Sequence, residues 1–375
     1  MRRVKTAVIG AGFIGRAHIE AVRRLGYVDI VAIGQSDPDK AAKFAGELNI
    51  PKAYGNYMEL LQDEEIEAIH NCTPNHIHFE INKQALLHGK HILSEKPLTL
   101  TSQEAKQLYE LAAGKQLVAG INFNYRQFPM VQQLKCMIQD GDLGKVRIVR
   151  GSYLQDWLLY DTDYNWRMEP EYGGTTRAIS DIGSHLFDLL QYVTGQKIVE
   201  VMADASIVIP QRYKDHGKAG QAKLVDVHTE DYCSVLVKFS DGARGALTVS
   251  QVSAGNKNAL EICIDGSTAS GTWKQEEPFL LNIGHRDKPR ETISRDPSLL
   301  KKDALPFLHY PGGHEEGWTD SLKNMMAYFY EAVSGGKPLS GSVASFQEGY
   351  RIMLIIDAIV KSAQSGCWEK VAEAE

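Results

Sequence analysis

The hydrophobic and polar positions of the chain follow two different rhythms. In the first third, short apolar runs alternate with stretches whose apolar residues recur every three or four positions, as in buried strands and amphipathic helices. Strands are predicted at 4–9, 29–33, 68–71, 91–94 and 117–120, with helices between them. This βαβα order predicts a doubly wound parallel sheet for a first domain, which we assign to residues 1–121.

Beyond residue 122 the chain changes to β-rich runs with few helices between them, at 146–153, 199–209, 232–239, 244–252 and 259–264. Asp241-Gly242 is a turn signal that joins two of these runs into a hairpin. Residues 122–375 are therefore expected to form an α+β domain with a large, mostly antiparallel, open sheet. Irregular excursions are predicted at 210–226 and 286–306, and helices at 318–333 and 346–363. Packing of the C-terminal helix against the first domain is compatible with this division.

Composition restricts the class of protein and its partners. A length of 375 residues exceeds what one core usually serves, which favours two domains. The net charge of -6 argues against nucleic acid or an anionic membrane as a partner. The five cysteines are scattered, which is more typical of buried thiols in a reducing compartment than of disulfides. No apolar stretch reaches the roughly 20 residues that a membrane span needs, and we expect a cytoplasmic protein.

A glycine-rich loop follows the first predicted strand. Its sequence is Gly10-Ala11-Gly12-Phe13-Ile14-Gly15, and it opens a predicted helix, the context in which G-x-G-x-x-G indicates a dinucleotide site. The first glycine permits a tight turn, the second lets the backbone approach a pyrophosphate, and the third allows close packing of helix and strand. The helix N-terminus offers N–H groups to the phosphates. The alternative is an ordinary glycine-rich turn; in this context we assign a Rossmann domain.

The end of the second predicted strand bears on the choice of cofactor. In NAD sites an acidic residue about 20 residues beyond the loop binds the ribose. Gln35 lies at that place, followed by Ser36. Neither an acid nor an arginine for a 2′-phosphate is present there, so we expect NAD without excluding NADP. Asp37 precedes a proline, which favours a helix N-cap over a ribose ligand.

Two further loops follow predicted strands at the same edge of the sheet, where open parallel sheets bind ligands. One carries Thr73-Pro74-Asn75 and His78, and the other carries Glu95-Lys96-Pro97. A lysine before proline is kept out of helical geometry and held in a turn. Taken alone, Lys96 would also fit a solvated surface lysine, and His78 a histidine on a helix surface.

The motif richest in chemistry is Asp181-Ile182-Gly183-Ser184-His185. If Asp181 opens a helix, one turn places its carboxylate and the His185 imidazole on the same face. An imidazole suits a general base that removes the proton of an alcohol near neutral pH, and the Lys96 ammonium would stabilise the developing alkoxide. Asp181 would orient a hydroxyl or hold the charge on His185; alternatively it is a helix N-cap. No third ligand has convincing spacing for a metal, so no metal is expected.

Taken together, the glycine loop, Glu95-Lys96-Pro97 and Asp181-x-x-x-His185 resemble the Gfo/Idh/MocA family of sugar and polyol oxidoreductases. The resemblance spans essentially the whole chain, with three motifs in order. It implies that Lys96, Asp181 and His185 form the catalytic group, that the Lys96–Pro97 bond is cis, and that the protein is a homodimer or homotetramer. Gln35 departs from the family pattern, because NAD-using members often carry Asp there.

The resemblance also implies two sets of binding residues. The expected cofactor contacts are Gly10, Gly12, Phe13, Ile14, Gly15, Gln35, Ser36, Thr73, Pro74, Asn75, His78, Glu95, Lys96 and Asn124. Similarity to glycoside-oxidising members would place a sugar among Tyr125, Gln155, Trp166, Arg167 and His314. Aromatic rings can stack on the apolar face of a pyranose while amide and imidazole groups reach its hydroxyls. The alternatives are that Trp157 and Trp166 are core aromatics and that His314 is an exposed histidine.

These features predict an NAD(P)-dependent oxidoreductase. It would transfer a hydride between a secondary hydroxyl of a sugar, anhydrosugar or polyol and nicotinamide, giving a keto-sugar. Two alternatives remain from the sequence. One is an NAD-dependent glycosidase that uses transient oxidation, and the other is a non-catalytic dinucleotide-binding regulator on the same fold.

Overall fold

The structure, a computed structural model, describes residues 2–215 and 222–374. It divides into two compact units. Unit 1 comprises Met1–Gln127 and Trp318–Met353, and unit 2 comprises Phe128–Gly317 and Leu354–Glu375.

The regular elements of the described residues are numbered in chain order. The strands are β1 (Val4–Ile9), β2 (Val28–Gly34), β3 (Lys52–Tyr54), β4 (Ala68–Asn71), β5 (His91–Ser94), β6 (Ala119–Ile121), β7 (Ile148–Leu154), β8 (Ile198–Ser206), β9 (Gln211–Lys214), β10 (Lys223–Asp226), β11 (Tyr232–Phe239), β12 (Arg244–Ser250), β13 (Ala259–Asp265), β14 (Ser270–Lys274), β15 (Leu280–Gly284), β16 (Glu291–Ser294), β17 (Ala344–Ser345) and β18 (Glu369–Lys370). The helices are α1 (Phe13–Arg23), α2 (Pro38–Leu48), α3 (Tyr57–Gln62), α4 (His78–Leu87), α5 (Ser102–Lys115), α6 (Pro129–Gln139), α7 (Pro170–Gly173), α8 (Ser184–Thr194), α9 (Trp318–Gly335) and α10 (Phe346–Ser365).

Unit 1 contains a sheet in the order β17-β6-β5-β4-β1-β2-β3. Strands β1 to β6 pair in parallel, and β17 is antiparallel to β6. The register pairs Ile9 with Asn71, Asn71 with Ser94, and Ser94 with Ile121. The loops that follow β1, β4, β5 and β6 therefore leave from one edge, and the predicted doubly wound parallel sheet is confirmed.

The helices of unit 1 begin where the sequence provides caps. Asp37 accepts a hydrogen bond from the backbone N–H of Lys40, and Pro38 occupies the first turn of α2, as expected for an N-cap followed by proline. Thr101 caps α5 in the same way, because its hydroxyl accepts from the N–H of Glu104. Asp37 is thus used as a cap, and Gln35 remains at the end of β2.

The helix α9 belongs to the core of unit 1, although it lies far along the chain. Its buried face includes Leu322, Met325 and Phe329, which pack with Val4 and Leu93 of the parallel sheet. The expected division at 121/122 therefore differs from the observed units: residues up to 127 and the segment 318–353 lie in unit 1. The physical reason is the apolar face of α9, which covers one side of that sheet.

Unit 2 contains a nine-stranded sheet in the order β16-β15-β14-β13-β7-β12-β11-β8-β18. Only β7 and β12 pair in parallel among its described strands, so the expected large, mostly antiparallel sheet is confirmed. Gly242, at a φ of +95°, forms the turn of the predicted hairpin between β11 and β12. The helices α6 and α8 pack against each other and against the sheet.

Two expected irregular segments contain strands. The excursion predicted at 210–226 includes β9 and β10, which pair only with each other, and residues 216–221 of it lie outside the described part of the chain. The excursion at 286–306 includes β16 at the edge of the large sheet. These strands are short and carry several charged residues, so they lack the apolar pattern that marks longer strands. Within the ranges described, no helix is long and apolar enough to cross a membrane.

Candidate active site

The glycine loop adopts a conformation that side chains at two positions would prevent. Gly10 has a φ of +93°, and a Cβ there would lie 2.5 Å from the carbonyl oxygen of Cys72. A Cβ on Gly15 would lie 1.9 Å from the carbonyl oxygen of Gly10. By contrast, no atom lies within 4 Å of a Cβ built on Gly12. The loop is therefore tight on its inner side and open at Gly12, which fits the approach of a pyrophosphate.

The N-terminus of α1 is suited to an anion. Gly12 is its N-cap and provides no side-chain cap, and the first turn, with Phe13 and Ile14, contains no acidic residue. The partial positive charge of the helix end is thus not offset locally. The Phe13 ring is 80% exposed and stacks on Trp318, with ring centroids 5.7 Å apart.

The loop after β2 offers a partner for ribose hydroxyls. Gln35 donates its backbone N–H to Tyr54, and its side-chain Nε2 is buried without a hydrogen-bond partner in the described residues. Ser36 beside it is exposed. An unsatisfied amide here, together with the open face of Gly12 and the uncapped end of α1, fits a dinucleotide. Gln35 can thus donate to a sugar hydroxyl where an acidic residue would accept from one.

The loops after β4 and β5 are tied together by a buried histidine. His78 lies between two carbonyl groups, with Nδ1 2.8 Å from the oxygen of Pro97 and Nε2 2.9 Å from the oxygen of Thr73. Burial lowers its pKa, although the contacts with the two carbonyl groups act in the opposite direction. Pro74 is exposed and Asn75 is buried. The structure thus gives His78 a role in fixing two loops of the expected cofactor site, in place of a surface position.

Lys96 is half-buried at the end of β5, and its bond to Pro97 is cis, as expected. The carboxylate of the preceding Glu95 is buried and accepts hydrogen bonds from His18 and Asn122. Asn124, two residues further on, donates to the hydroxyl of Ser321 at 2.8 Å.

The predicted acid–base pair lies on one buried helical run of unit 2. The run begins with a π-helical segment, Ile179–Gly183, and continues as α8. Asp181 lies inside this run, and its backbone N–H donates to the carbonyl oxygen of Arg177. The expectation that Asp181 opens the helix is therefore wrong, and so is the alternative that it is the helix N-cap. Single π turns occur often at functional sites. Asp181 and His185 are both more than nine-tenths buried.

The Asp181 carboxylate is held between two side chains. Its Oδ2 accepts from Gln251 Nε2 at 2.9 Å, and its Oδ1 lies 3.4 Å from Arg167 Nε. Arg167 in turn lies over the Trp166 ring, 4.5 Å from its centroid. Of the residues expected at the substrate, Arg167 therefore lies next to Asp181, and Trp166 is connected to Asp181 through Arg167.

A second carboxylate, Glu230, holds the start of the helical run. It accepts from the backbone N–H groups of Arg177 and Ile179, the latter at 2.8 Å. Burial raises its pKa to about 7, although these hydrogen bonds act in the opposite direction. Sequence reasoning missed both Glu230 and Gln251. Neither stands in a sequence motif, although Gln251 comes directly after the predicted strand that became β12.

The other expected substrate residues differ in their burial and in the unit to which they belong. Gln155 donates to Asn258 Oδ1 at 3.0 Å and accepts from Trp157, which is exposed and hence no core aromatic. Trp166 is half-buried. His314 is exposed in unit 2, as in the alternative interpretation, and Tyr125 is buried in unit 1.

Comparison with known proteins gives the chain its family. Residues 4–123 match the model of the GFO_IDH_MocA oxidoreductase family with its NAD-binding Rossmann fold, and residues 131–270 match a C-terminal domain of the same family. The chain belongs to the Gfo/Idh/MocA family. The predicted family and the NAD-binding fold of this oxidoreductase are thereby confirmed.

Relatives of this Gfo/Idh/MocA protein match along its whole length. Levoglucosan dehydrogenase of Pseudarthrobacter phenanthrenivorans is 29% identical over 398 residues, covering 100% of this chain and 99% of the relative. A structure of levoglucosan dehydrogenase with NADH and L-sorbose matches with a TM-score of 0.92 at 28% identity, covering 100% of both chains. An inositol dehydrogenase homologue from Azotobacter vinelandii, complexed with NAD+, matches with a TM-score of 0.87 at 26% identity, covering 98% of this chain and 97% of that one.

No group of three or more His, Cys, Asp or Glu side chains in the described part of this Gfo/Idh/MocA protein is arranged to hold a metal ion.

The glycine loop yields a first prediction. Gly15→Ala would place its Cβ 1.9 Å from the Gly10 carbonyl oxygen. Because overpacking typically costs about 1–3 kcal/mol, we expect NADH to bind roughly tenfold more weakly or worse, measured by fluorescence titration. Gly46→Ala is the matched control, since it also lies in a helix but has nothing within 4 Å. Binding of NADH by both variants like the unchanged protein would contradict a role of Gly15 in the cofactor loop.

The raised pKa of Glu230 yields a second prediction. Between pH 4.5 and about 7 the folded chain keeps a proton that the unfolded chain has released. Glu230 therefore makes the free energy of unfolding fall as pH rises through this window. The free energy of unfolding of Glu230→Gln, minus that of the unchanged protein, should increase across the window and level off above it. Denaturant titrations at several pH values measure this difference; a difference that does not vary with pH would contradict it.

Proposed function

We propose that this protein is an NAD-dependent dehydrogenase that oxidises a secondary hydroxyl of a sugar, anhydrosugar or polyol to the ketone. The observation that carries the proposal is the buried helical run that contains Asp181 and His185. The carboxylate of Asp181 in this run is fixed by Gln251 and Arg167. Proton removal from an alcohol requires a positioned general base, and His185 lies four residues after this fixed carboxylate on the same run.

The relatives support the substrate class. The structure matched with a TM-score of 0.92 is of a levoglucosan dehydrogenase bound to NADH and L-sorbose. Another relative, the myo-inositol 2-dehydrogenase of Thermotoga maritima, is 27% identical over 65% of this chain. Gln155, Trp166, Arg167, Tyr125 and His314 are proposed substrate contacts, because amide, aromatic and charged groups together suit a polyhydroxylated ring.

The mechanism assigns one task to each side chain. When bound, NAD supplies the acceptor for the hydride that leaves the carbinol carbon. His185 takes the hydroxyl proton as general base, and Asp181 stabilises the imidazolium that results. Lys96 donates to the substrate oxygen and stabilises its negative charge as it develops. Gly10, Gly12 and Gly15 with the end of α1 bind the pyrophosphate, and Gln35 binds a ribose hydroxyl.

NAD is proposed as the preferred cofactor over NADP. Neither Gln35 nor Ser36 has a positively charged side chain, such as a guanidinium, that could bind a 2′-phosphate through two hydrogen bonds. Unit 1 is assigned to cofactor binding and unit 2 to substrate binding and oligomerisation.

A homodimer or homotetramer in the cytoplasm is also proposed. Leu236 and Met202 are register partners on β11 and β8, and they are 48% and 37% exposed. Apolar side chains in such positions on an open sheet favour pairing with a second copy.

The proposed reaction is tested with a panel of sugars, anhydrosugars and inositols. We expect NADH to form with NAD, and NADPH to form more slowly with NADP, as followed by the ultraviolet absorbance of the reduced nicotinamide. Lys96→Ala should lose about 10²–10³-fold in kcat and still bind NADH, whereas Lys106→Ala, on the exposed side of α5, should behave like the unchanged protein.

The outcomes of that panel separate the alternatives. Release of an aglycone without net NADH would favour a glycosidase that uses transient oxidation. Dinucleotide binding with no turnover of any alcohol would favour a regulator.

The role of His185 predicts a pH profile. Oxidation should fall as pH decreases, because the imidazole must be unprotonated to accept the hydroxyl proton. His185→Asn should lose this acid limb together with about 10²–10⁴-fold of the rate. Glu230→Gln is the control, since the pKa of Glu230 is raised to about 7 and this group could also produce an acid limb. If the limb disappears in Glu230→Gln and persists in His185→Asn, the base has been misassigned.

A further inference from the structure

The hairpin of β9 and β10 reaches into the interior of unit 2 with one side chain. The two strands pair only with each other, and not with the large sheet. Among the residues of these two strands, all of which the structure describes, only Arg212 is buried, and it is 0% exposed. Because a two-stranded hairpin is marginally stable at best on its own, its place in unit 2 depends on what it contacts there.

The guanidinium of Arg212 binds the backbone of residues 155–169. We call this segment the substrate loop, because it carries Trp166 and two other proposed substrate contacts. Nη1 of Arg212 donates to the carbonyl oxygen of Tyr160 at 2.7 Å and to that of Asp163 at 3.0 Å. The two carbonyl groups belong to one turn, since the N–H of Asp163 donates to Tyr160. Arg212 thus fixes a turn of the loop shortly before Trp166.

Other parts of the hairpin contact the same loop. The backbone N–H of Tyr213 donates to the carbonyl oxygen of Asp161 at 2.8 Å. At the far end of the loop, Lys214 donates to a carboxylate oxygen of Glu169 at 2.6 Å. Val227, directly after β10, is buried in a small apolar cluster with side chains of the loop. The hairpin therefore follows the substrate loop over much of its length.

The guanidinium of Arg212 also faces a buried carboxylate. Its Nη2 lies 3.6 Å from Oδ2 of Asp231, directly before β11, and Nη2 of Arg177 lies 3.5 Å from the same oxygen. The side chains of all three residues are completely buried. Arg177 leads into the helical run, because its carbonyl oxygen accepts from the N–H of Asp181 at 2.8 Å. One carboxylate thus connects the hairpin to the run of the proposed acid–base pair.

The substrate loop meets that helical run at a second place. Nε of Arg167 lies 3.4 Å from one oxygen of Asp181, and Gln251 donates to the other. The backbone of Gln251 joins both sides, since its N–H donates to Asp231 and its carbonyl oxygen accepts from the N–H of Leu158 in the loop. A displacement of the loop would therefore move Arg167 relative to the carboxylate that it faces.

Stability alone does not account for the Arg212 guanidinium. Burial lowers the pKa of Arg212, with Asp231 acting in the opposite direction, yet a guanidinium keeps its proton in proteins. Taking such a charge out of water is costly, and an apolar side chain of similar volume is often neutral or stabilising in its place. Asp231 does not require a second cation, because Arg177 already faces it. The charge of Arg212 is therefore explained by the two carbonyl groups that it binds.

We propose that Arg212 is a positioning residue that holds the substrate loop against the helical run of Asp181 and His185, and so sets the affinity for the substrate. It acts through the proposed contacts Trp166 and Arg167 and touches neither substrate nor cofactor itself. The inference deepens the proposed function and rests on it for the nature of the ligand. The attachment of the loop by Arg212 does not depend on the reaction.

The test uses two variants of Arg212 and a matched control. Arg212→Met removes the guanidinium and leaves Asp231 with Arg177 as its partner, so no buried charge remains unpaired. Arg212→Lys keeps the charge and can donate to a carbonyl group, but it lacks the planar fork of the guanidinium. Trp273→Phe is the control for lost stability, because Trp273 is fully buried in the same unit and donates to Pro278, outside the substrate loop.

The first readout is steady-state kinetics with the best substrate of the panel. In Arg212→Met the KM should rise about tenfold while kcat changes by less than about threefold, because a displaced loop weakens binding and leaves the base in place. The Kd of NADH should stay unchanged, and the KM of Arg212→Lys should lie between those of Arg212→Met and the unchanged protein. In Trp273→Phe the thermal midpoint should fall while the KM stays unchanged. If Arg212→Met likewise loses thermal stability with an unchanged KM, Arg212 is only structural and the inference is wrong.

The second readout needs no turnover. Hydrogen exchange, followed by mass spectrometry, should become about tenfold faster in peptides from 155–169 in Arg212→Met and stay unchanged there in Trp273→Phe. Unchanged exchange of these peptides in Arg212→Met would overturn the inference. If Arg212→Met does not fold, Arg212→Lys is judged by the same two readouts. If the loop exchanges faster but the unchanged protein oxidises no alcohol of the panel, the proposed function fails and the attachment of the loop by Arg212 stands.

Discussion

Parallel strands bring all their carboxyl ends to one edge of a sheet, and the candidate dinucleotide site of this chain depends on that constraint. The register of β1, β4, β5 and β6 aligns four strand ends, each followed by a functional loop. Gly10 follows the first strand and Glu95 the third of these. Because the Gly10 turn lies against the carbonyl of Cys72, the glycine loop and the loop after β4 fix each other. A shift of one strand would disturb all these loops together.

The two buried glutamates show how donors decide the charge of a group. Glu95 and Glu230 are both buried, yet the pKa of the first is lowered to about 2 and that of the second is raised to about 7. Each is close to a cation, Lys96 for Glu95 and Arg177 for Glu230, but Glu95 receives side-chain donors from His18 and Asn122, whereas the donors to Glu230 are backbone N–H groups. The backbone donors do not offset the loss of hydration at Glu230. The unit that carries Lys96 thus has a permanently charged carboxylate, and the unit that carries His185 has one that titrates near neutral pH.

Local patterns predicted the parts of the fold that local chemistry controls. The strand at 4–9, the cap at Asp37 and the hairpin at Gly242 were found where expected, because apolar runs, N-caps and turn glycines act within a few residues. The start of the helical run before Asp181 was missed, since it is set by Glu230, about 50 residues further along the chain. The place of α9 in unit 1 likewise depends on packing with strands from the beginning of the chain. A single sequence does not reveal such distant pairings.

The distance over which a residue finds its partner also decides which site residues the sequence could reveal. Gly15 and the pair Asp181 and His185 stand in short motifs whose spacing is itself the signal. Gln251 and Tyr330 are in no motif, and each is hydrogen-bonded to a residue that the fold brings to it from far along the chain. Tyr330 also resembles its apolar neighbours in the pattern of α9, where only the hydroxyl distinguishes it from a core residue. The groups that bear the charge can thus be read from the sequence, while the groups that hold that charge in place become visible only once the fold is known.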